Sequence, residues 1–302
     1  MKSVRFKKLD AFAANGSSGN PAGAVYLARP SELTPAEMQT IARELAGFVS
    51  EVGFVARMER TEYWIRYYSS EREVAFCGHA TIAIMYDLVA TTPELLSVPR
   101  VQISTGNAQL TVENHIAKAD CVFVTAPRPR FGVWEHDTRE LAQALRLPAS
   151  SVRADRPVSL VNAGLETLIV PIKSLKEILT VAPELQPLKA FCVKHAIDIL
   201  TLYADEVSLP GNAYRTRVFA PTFGYLEDPA TGSGNAAFGH YLLANCMWDG
   251  ALISLEQNAQ ADHPNIVKLL ARTTPQGEKE VLFGGNAVVK IAGEYFVGKT
   301  PE

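Results

Sequence analysis

Half a chain apart, this sequence twice runs from a glutamate through a short turn to a glycine and on into an apolar, helix-like pattern. The first copy is Glu73 to Ala83, EVAFCGHATIA; the second is Glu227 to Ala237, EDPATGSGNAA. Upstream of them, Ile65-Arg66-Tyr67-Tyr68-Ser69 resembles Thr216-Arg217-Val218-Phe219-Ala220. Similarity at several positions over this spacing constrains the fold more than any bulk property, because it implies two related halves. Each half is expected to carry a helix, starting near Ala80 and near Asn235. A small-residue turn feeding a helix leaves backbone N–H groups without partners, along a dipole that favours anions. Gly232 and Gly234 are expected to let the backbone approach a ligand closely. Asp228 and Ser233 supply polar chemistry beside this predicted carboxylate or phosphate pocket. If the halves face each other, two helix N-termini converge on one cleft and grip an anionic small molecule.

The chain of 302 residues is long enough for two domains with their own cores. A hydrophobic fraction of 47% and a charged fraction of 20% are those of a folded globular chain. The net charge of −3 leaves no basic footprint for nucleic acid. No apolar run has the length of a membrane span or a signal peptide, so a cytoplasmic setting without membrane partners is expected. Cys77, Cys121, Cys192 and Cys246 give neither a CxxC pair nor a histidine partner at metal-ligand spacing. No zinc site and no disulfide framework are therefore expected.

Local signals agree with an α+β chain. Val4-Arg5-Phe6 and Ala24 to Leu27 read as strands around a Gly/Ser/Asn/Pro loop. Thr34-Pro35-Ala36-Glu37 has the capping box and the N1 proline of a helix start. Residues 51–57 and 61–68 read as two strands, and Gly106-Asn107 as a hairpin-like turn. The segment Ala126 to Arg130, with two prolines, is the linker candidate. Ser174 to Glu177 predicts a second capping box. Residues 287–291 and 294–297 read as a final hairpin around Ala292-Gly293.

Six pieces, in order along nearly the whole chain, carry a family resemblance. They are Asp10-Ala11-Phe12 with Gly19-Asn20-Pro21-Ala22, Ser50 to Val55, Cys77 to Thr81, Arg217 to Pro221, Glu227 to Ser233, and Gly284 to Val288. With these the sequence resembles the PhzF-like phenazine-biosynthesis isomerases, which share the diaminopimelate-epimerase-like fold. The resemblance implies two similar domains, each a curved, mostly antiparallel sheet wrapped around a central helix. It places the halves at 1–126 and 127–286, with the C-terminal strand, 287–302, returning to the first. It further implies a homodimer, a small carboxylate-bearing, amino acid-like substrate, and neither metal nor organic cofactor. One departure is Asp262-His263-Pro264-Asn265, where members of the family often carry a Gly-Arg-Pro-Ser turn.

Carried over residue by residue, the resemblance makes Glu51 the acid/base, with His79 and Asp228 as its catalytic partners. Asn20, Gly78, Ala80, Gly232, Ser233 and Gly234 become the substrate-binding set. Without the resemblance, Glu51 reads as a solvated carboxylate, and His79 and Asp228 as helix caps. A second chemistry stays open. In relatives of the same fold a cysteine precedes the glycine in each half, and the paired thiols act as base and acid. Here Cys77 holds the first such place and Thr231 the second, which fits a one-Cys, one-Thr dehydratase or epimerase. A protein that binds a small acid without turning it over is the non-enzymatic alternative.

Overall fold

Both copies of the repeat fold the same way, each around its own central helix. The computed structural model describes residues 2–14, 16–106 and 108–298. The predicted turn residue Asn107 and the last four positions of the expected C-terminal strand, 299–302, lie outside them. Contacts divide the chain into one unit of Met1–Ala13, Ser18–Thr125 and Gly284–Glu302, and a second of Ala14–Ser17 and Ala126–Phe283.

In the first unit β1 (Lys2–Ala11) and β2 (Asn20–Leu27) form an antiparallel pair. Helix Pro35–Glu44 then carries the chain over so that β3 (Glu51–Glu59) lies parallel to β2. The sequence dictates this helix: Thr34 accepts from the Glu37 amide and Glu37 reaches back to the Thr34 amide, closing the predicted capping box. β3 turns back into β4 (Glu62–Ser69), which pairs with the short β5 (Glu73–Val74). The first central helix, Gly78–Thr91, follows, and β6 (Arg100–Ser104) returns parallel to β4. β7 (Gln109–Asn114) and β8 (Val122–Thr125) continue antiparallel.

Alternation along β3 sorts its side chains between two layers. Val52, Phe54 and Ala56 join Met38 and Ile41 of the outer helix in one core cluster. Gly53 faces the other way, and a Cβ there would stand 2.3 Å from Ile84 Cδ1 of the central helix. That helix is apolar on most sides, and Ile82, Ile84, Met85 and Val89 are fully buried. At about 1.5–3 kcal/mol for each large side chain removed from water, these four hold it in place.

In the second unit β9 (Arg130–Val133), β10 (Ser159–Asn162) and β11 (Glu166–Pro171) pair antiparallel in succession. Helices Leu175–Thr180 and Leu185–Lys194 then carry the chain to β12 (Ile199–Ala204), parallel to β11. β13 (Tyr214–Phe219) pairs with the short β14 (Glu227–Asp228), the second central helix spans Gly232–Ala244, and β15 (Ile253–Gln257) returns parallel to β13. β16 (Asn265–Thr273) and β17 (Lys279–Gly285) follow. The order of antiparallel and parallel pairings is thus that of the first unit. The molecule is a mixed α+β fold of curved sheet around central helices.

Three expectations need correction. The central helices start at Gly78 and Gly232, two and three residues ahead of Ala80 and Asn235, with Cys77 and Thr231 as their extended N-caps. Glycine permits a turn but does not require one, and here both glycines lie in the first helical turn. The C-terminal hairpin around Gly293 does not form. β18 (Ala287–Val297) is one continuous strand paired along all of β1, with a register shift at Lys8/Leu9. Gly293 has no side chain to pack, but ladder bonds on either side carry the strand through it. Finally, Ser174 accepts from the Glu177 amide and donates to the Glu177 carboxylate, which leaves the second capping box half made.

Candidate active site

The first cluster is built where β3 begins. β3 opens with Glu51 beside Ala22 of β2 and opposite Ser69 of β4, at the sheet end from which the central helix departs. Cys77 caps that helix and His79 sits in its first turn, so both side chains reach the start of β3. His79 Nε2 stands 3.3 Å from Glu51 Oε2 and 3.3 Å from Ser50 Oγ. Cys77 Sγ lies 3.5 Å from His79 Nδ1 and 3.9 Å from Nε2. Ser50 spends its own proton on the Pro21 carbonyl, at 3.2 Å. Its lone pairs are then left for an Nε2–H, which suits the tautomer with Nδ1 free to accept from the Cys77 thiol.

Glu51 Oε2 is buried and makes no aligned hydrogen bond; its approach to His79 is close but off-axis. A carboxylate oxygen in that state keeps its lone pairs for a proton brought by something else. Buried oxygens are ordinarily bonded, so this one is an exception. Asn20, at the start of β2, is buried at 2% exposure. The structure therefore brings Glu51, His79 and Cys77 together. It also corrects one expectation: Cys77 does have a histidine partner, and the three ligating atoms of Glu51, Cys77 and His79 lie within 4.8 Å of one another. Sequence spacing hid this because Glu51 arrives from another strand and the C-x-H turn brings the imidazole back over the thiol.

The second cluster sits at the equivalent place in the other unit. Thr231 Oγ1 donates to Asp228 Oδ2 at 2.6 Å. Gln257, at the end of β15, donates to the Asp228 carbonyl at 2.8 Å and accepts from the Thr231 amide at 2.9 Å. Asn235 donates to Gln257 Oε1 and to the Thr231 carbonyl, and accepts from Thr216 Oγ1 at 3.1 Å. Asp228 and Thr231 are thus fixed in one buried network. Sequence reasoning missed Gln257 and Asn235. An amide in the first turn of an otherwise apolar helix was a signal for Asn235; nothing local marked Gln257.

Beneath this network lies a fully buried ion pair, Arg215 with Glu256, at 3.0 Å. Burial raises the Glu256 carboxyl, but the amides of Ser208 and Leu209, the Asn212 side chain and Arg215 outweigh it and hold the group below its usual range. Burial pulls the Arg215 guanidinium down, against its hydrogen bond to Glu256. The pair fixes the end of β15 and, with it, Gln257.

Gly232 and Gly234 also have a packing reason. A Cβ on Gly232 would stand 2.4 Å from the Phe283 ring, and one on Gly234 3.0 Å from Thr201 Oγ1 and 3.2 Å from Val218. Their smallness lets the second central helix seat on its own sheet. The first intrahelical amide bonds run from Thr81 to Cys77 and from Asn235 to Thr231. The amides of Gly78, His79 and Ala80, and of Gly232, Ser233 and Gly234, come ahead of those ladders, as at any helix start.

The two clusters also repeat each other's scaffolding. Arg66 grips the Glu73 carboxylate with Nε, at 2.6 Å, and with Nη2; Arg217 grips Glu227 with Nε at 2.9 Å and Nη2 at 2.7 Å. Arg66 also lies over the Tyr68 ring and Arg217 over the Phe219 ring. Four residues into each motif from the cap, Thr81 bonds the Cys77 carbonyl as Asn235 bonds that of Thr231.

The sequence pattern of the phenazine biosynthesis-like proteins, the PhzC-PhzF family, matches residues 9–293. The chain belongs to this family. An uncharacterized isomerase of Clostridium acetobutylicum is 29% identical, the match covering 95% of this chain and 96% of that protein. The trans-2,3-dihydro-3-hydroxyanthranilate isomerase of Pseudomonas aeruginosa is 26% identical, over 97% of this chain and 99% of its own. A solved structure of a PhzF-family protein from Bacillus anthracis superposes with a TM-score of 0.86 at 23% identity, covering 98% of this chain and 100% of that one. Both of these relatives are named isomerases, and the chain belongs among the isomerases. Among the described residues no helix is long and apolar enough to cross a membrane.

Proposed function

We propose that this chain is an isomerase that moves a proton on a small, carboxylate-bearing, amino acid-like substrate, with Glu51 as the acid/base. The observation that carries the reading is the buried Glu51 oxygen, without an aligned hydrogen-bond donor, next to His79. Glu51 takes a proton from one carbon of the substrate and returns it to another, so the substrate leaves with its atoms conserved and the carboxylate regenerated. His79 hydrogen-bonds a polar substituent and steadies the negative charge that develops between the two transfers. Asn20 and the helix-start amides of Gly78 and Ala80 complete the binding set of the first unit. In the second unit that set is Asp228, oriented by Thr231 and Gln257, with the helix-start amides of Gly232, Ser233 and Gly234, a group suited to a carboxylate. Written this way, the step uses only groups of the chain and the substrate. The proposed setting is the cytoplasm, in a homodimer.

The 3.5 Å contact between Cys77 and His79 favours a second reading, in which the imidazole takes the thiol proton and Cys77 works on the substrate with Thr231 as its counterpart. Two variants on one substrate separate the readings. Candidate small amino and hydroxy acids are incubated in heavy water, and both product formation and deuterium uptake are followed. Under the first reading Glu51→Gln lowers turnover by about 100- to 10,000-fold while binding persists, and Cys77→Ala stays within a few-fold of wild type. An inactive Cys77→Ala beside an active Glu51→Gln establishes the thiol chemistry instead. Wild-type protein that binds a small acid but exchanges no proton with it is a binding protein.

A further inference from the structure

The cluster at the start of the first central helix has a property that the proton-transfer reading does not use. A thiol, an imidazole and a carboxylate converge there from two elements, with their ligating atoms within 4.8 Å of one another. We infer that Glu51, Cys77 and His79 form a binding site for a zinc ion, and that zinc bound there switches the enzyme off. The inhibitory half rests on Glu51 being the base; the binding half does not.

Zinc takes thiolate sulfur at about 2.3 Å and imidazole nitrogen or carboxylate oxygen at about 2.0–2.2 Å, in tetrahedral arrangement. Those bond lengths put neighbouring ligand atoms about 3.3–3.6 Å apart. In this protein His79 Nε2 stands 3.3 Å from Glu51 Oε2, and Cys77 Sγ stands 3.5 Å from Nδ1 and 3.9 Å from Nε2. With Nε2 as the ligating nitrogen, its edge to Glu51 Oε2 fits and its edge to Cys77 Sγ is a few tenths of an ångström long, while the sulfur and the carboxylate oxygen lie within 4.8 Å and close onto the ion by side-chain rotation. The ligand types also choose the metal. A thiolate with an imidazole suits zinc, whereas magnesium and calcium take oxygen sets.

Three protein ligands leave a fourth position for water, and Ser50 beside the imidazole is placed to bond that water or the ring. The Glu51 oxygen that lacks an aligned donor is the atom a cation would satisfy. Binding replaces the thiol proton with the metal and releases it to solvent, so affinity rises with pH. No oxidation state changes, and the only bond of the chain that breaks is the Cys77 S–H, whose proton leaves to solvent. A metal on Glu51 removes its free lone pair, so the proton transfer stops until the ion is withdrawn.

The test uses the full chain freed of metal by a chelator. Zinc is titrated by calorimetry, and Co²⁺ serves as the spectroscopic probe, since a thiolate ligand gives it a charge-transfer band in the near ultraviolet. The expected result is one zinc per chain and a cobalt–thiolate band in wild type. Cys77→Ser should lose the band and bind at least about tenfold more weakly, and His79→Ala should weaken binding by a similar factor. Cys246→Ser removes the exposed cysteine and should change neither. Isomerisation should fall with zinc occupancy and return on chelation. No binding in wild type, or binding that Cys77→Ser leaves intact, overturns the site. Binding with undiminished turnover overturns the switch. A Cys77-dependent band in a protein whose Glu51→Gln stays active upholds the site and overturns only the assignment of the base.

Discussion

Lys7 and Asp87 show how single residues fix the frame around the chemistry. Lys7 of β1 meets both Asp87 oxygens at 2.6 and 2.7 Å, and Tyr26 of β2 donates to the same carboxylate. Both ionised groups are nearly buried, at 9% and 3% exposure. Burial and the Asp87 charge push the Tyr26 hydroxyl above its ordinary value, so it stays a donor. The trio clamps the far end of the first central helix to its sheet. Asp87→Leu strands the Lys7 charge in a dry place and should cost about 3–5 kcal/mol, whereas exchanging Lys7 and Asp87 together for apolar residues should cost far less. Urea unfolding of the single and double variants measures this; equal losses would show that packing, not the charge pair, holds the clamp.

At the scale of elements, the two central helices are seated alike but held by different chemistry. Both follow an arginine–glutamate fork between paired strands, and both begin at a glycine just after an extended cap residue. The first is capped by Cys77 beside His79, the second by Thr231 locked to Asp228 and Gln257. The sequence suggests that Gly232 keeps backbone open to a ligand; the Phe283 ring, 2.4 Å from a Cβ there, adds that it admits the helix to the sheet. A larger residue must push a buried ring aside. Gly232→Ala should therefore lose about 1–3 kcal/mol of stability and weaken ligand binding with it. Weakened binding with unchanged unfolding would restore the reading in terms of ligand approach alone.

For the whole molecule, the dependence of stability on pH has an identifiable source. His240, in the second central helix, is 4% exposed. One ring nitrogen bonds the Pro127 carbonyl, which favours the proton, but burial outweighs it and lowers the imidazole from 6.5 to about 4. Its Nε2 is buried without a partner. Above the unfolded value the ring is neutral in both states and costs nothing. As pH falls below it, the unfolded chain takes up a proton that the folded chain refuses, and stability drops until the folded ring also titrates. Between pH 7 and about pH 4.5 this group should remove about 2–3 kcal/mol. His240→Gln keeps a donor without titrating in this range, so its stability should fall less over that interval. Parallel wild-type and variant profiles from urea unfolding would rule this source out.

What the sequence determined by itself was the local and the repeated. Thr34 and Glu37 are three residues apart, so their cap needs no distant partner and was legible. The apolar run after Gly78 announced a buried helix because burial on most sides leaves no polar stripe. The α+β class and the family followed from motifs that keep their order along the chain. Glu51, His79 and Asp228 were named from those motifs. Tertiary structure decided which of these side chains meet: Glu51 reaches His79 and Cys77 only because β3 begins where the central helix does, 26 residues or more downstream. It also decided the partners of Asp228, since Gln257 arrives on a later strand with no local mark. The continuous β18 and the helical glycines have the same cause. Propensity at Gly293 and Gly232 allowed a break, and a paired strand or a covering ring, set by residues far along the chain, supplied the energy that removed it.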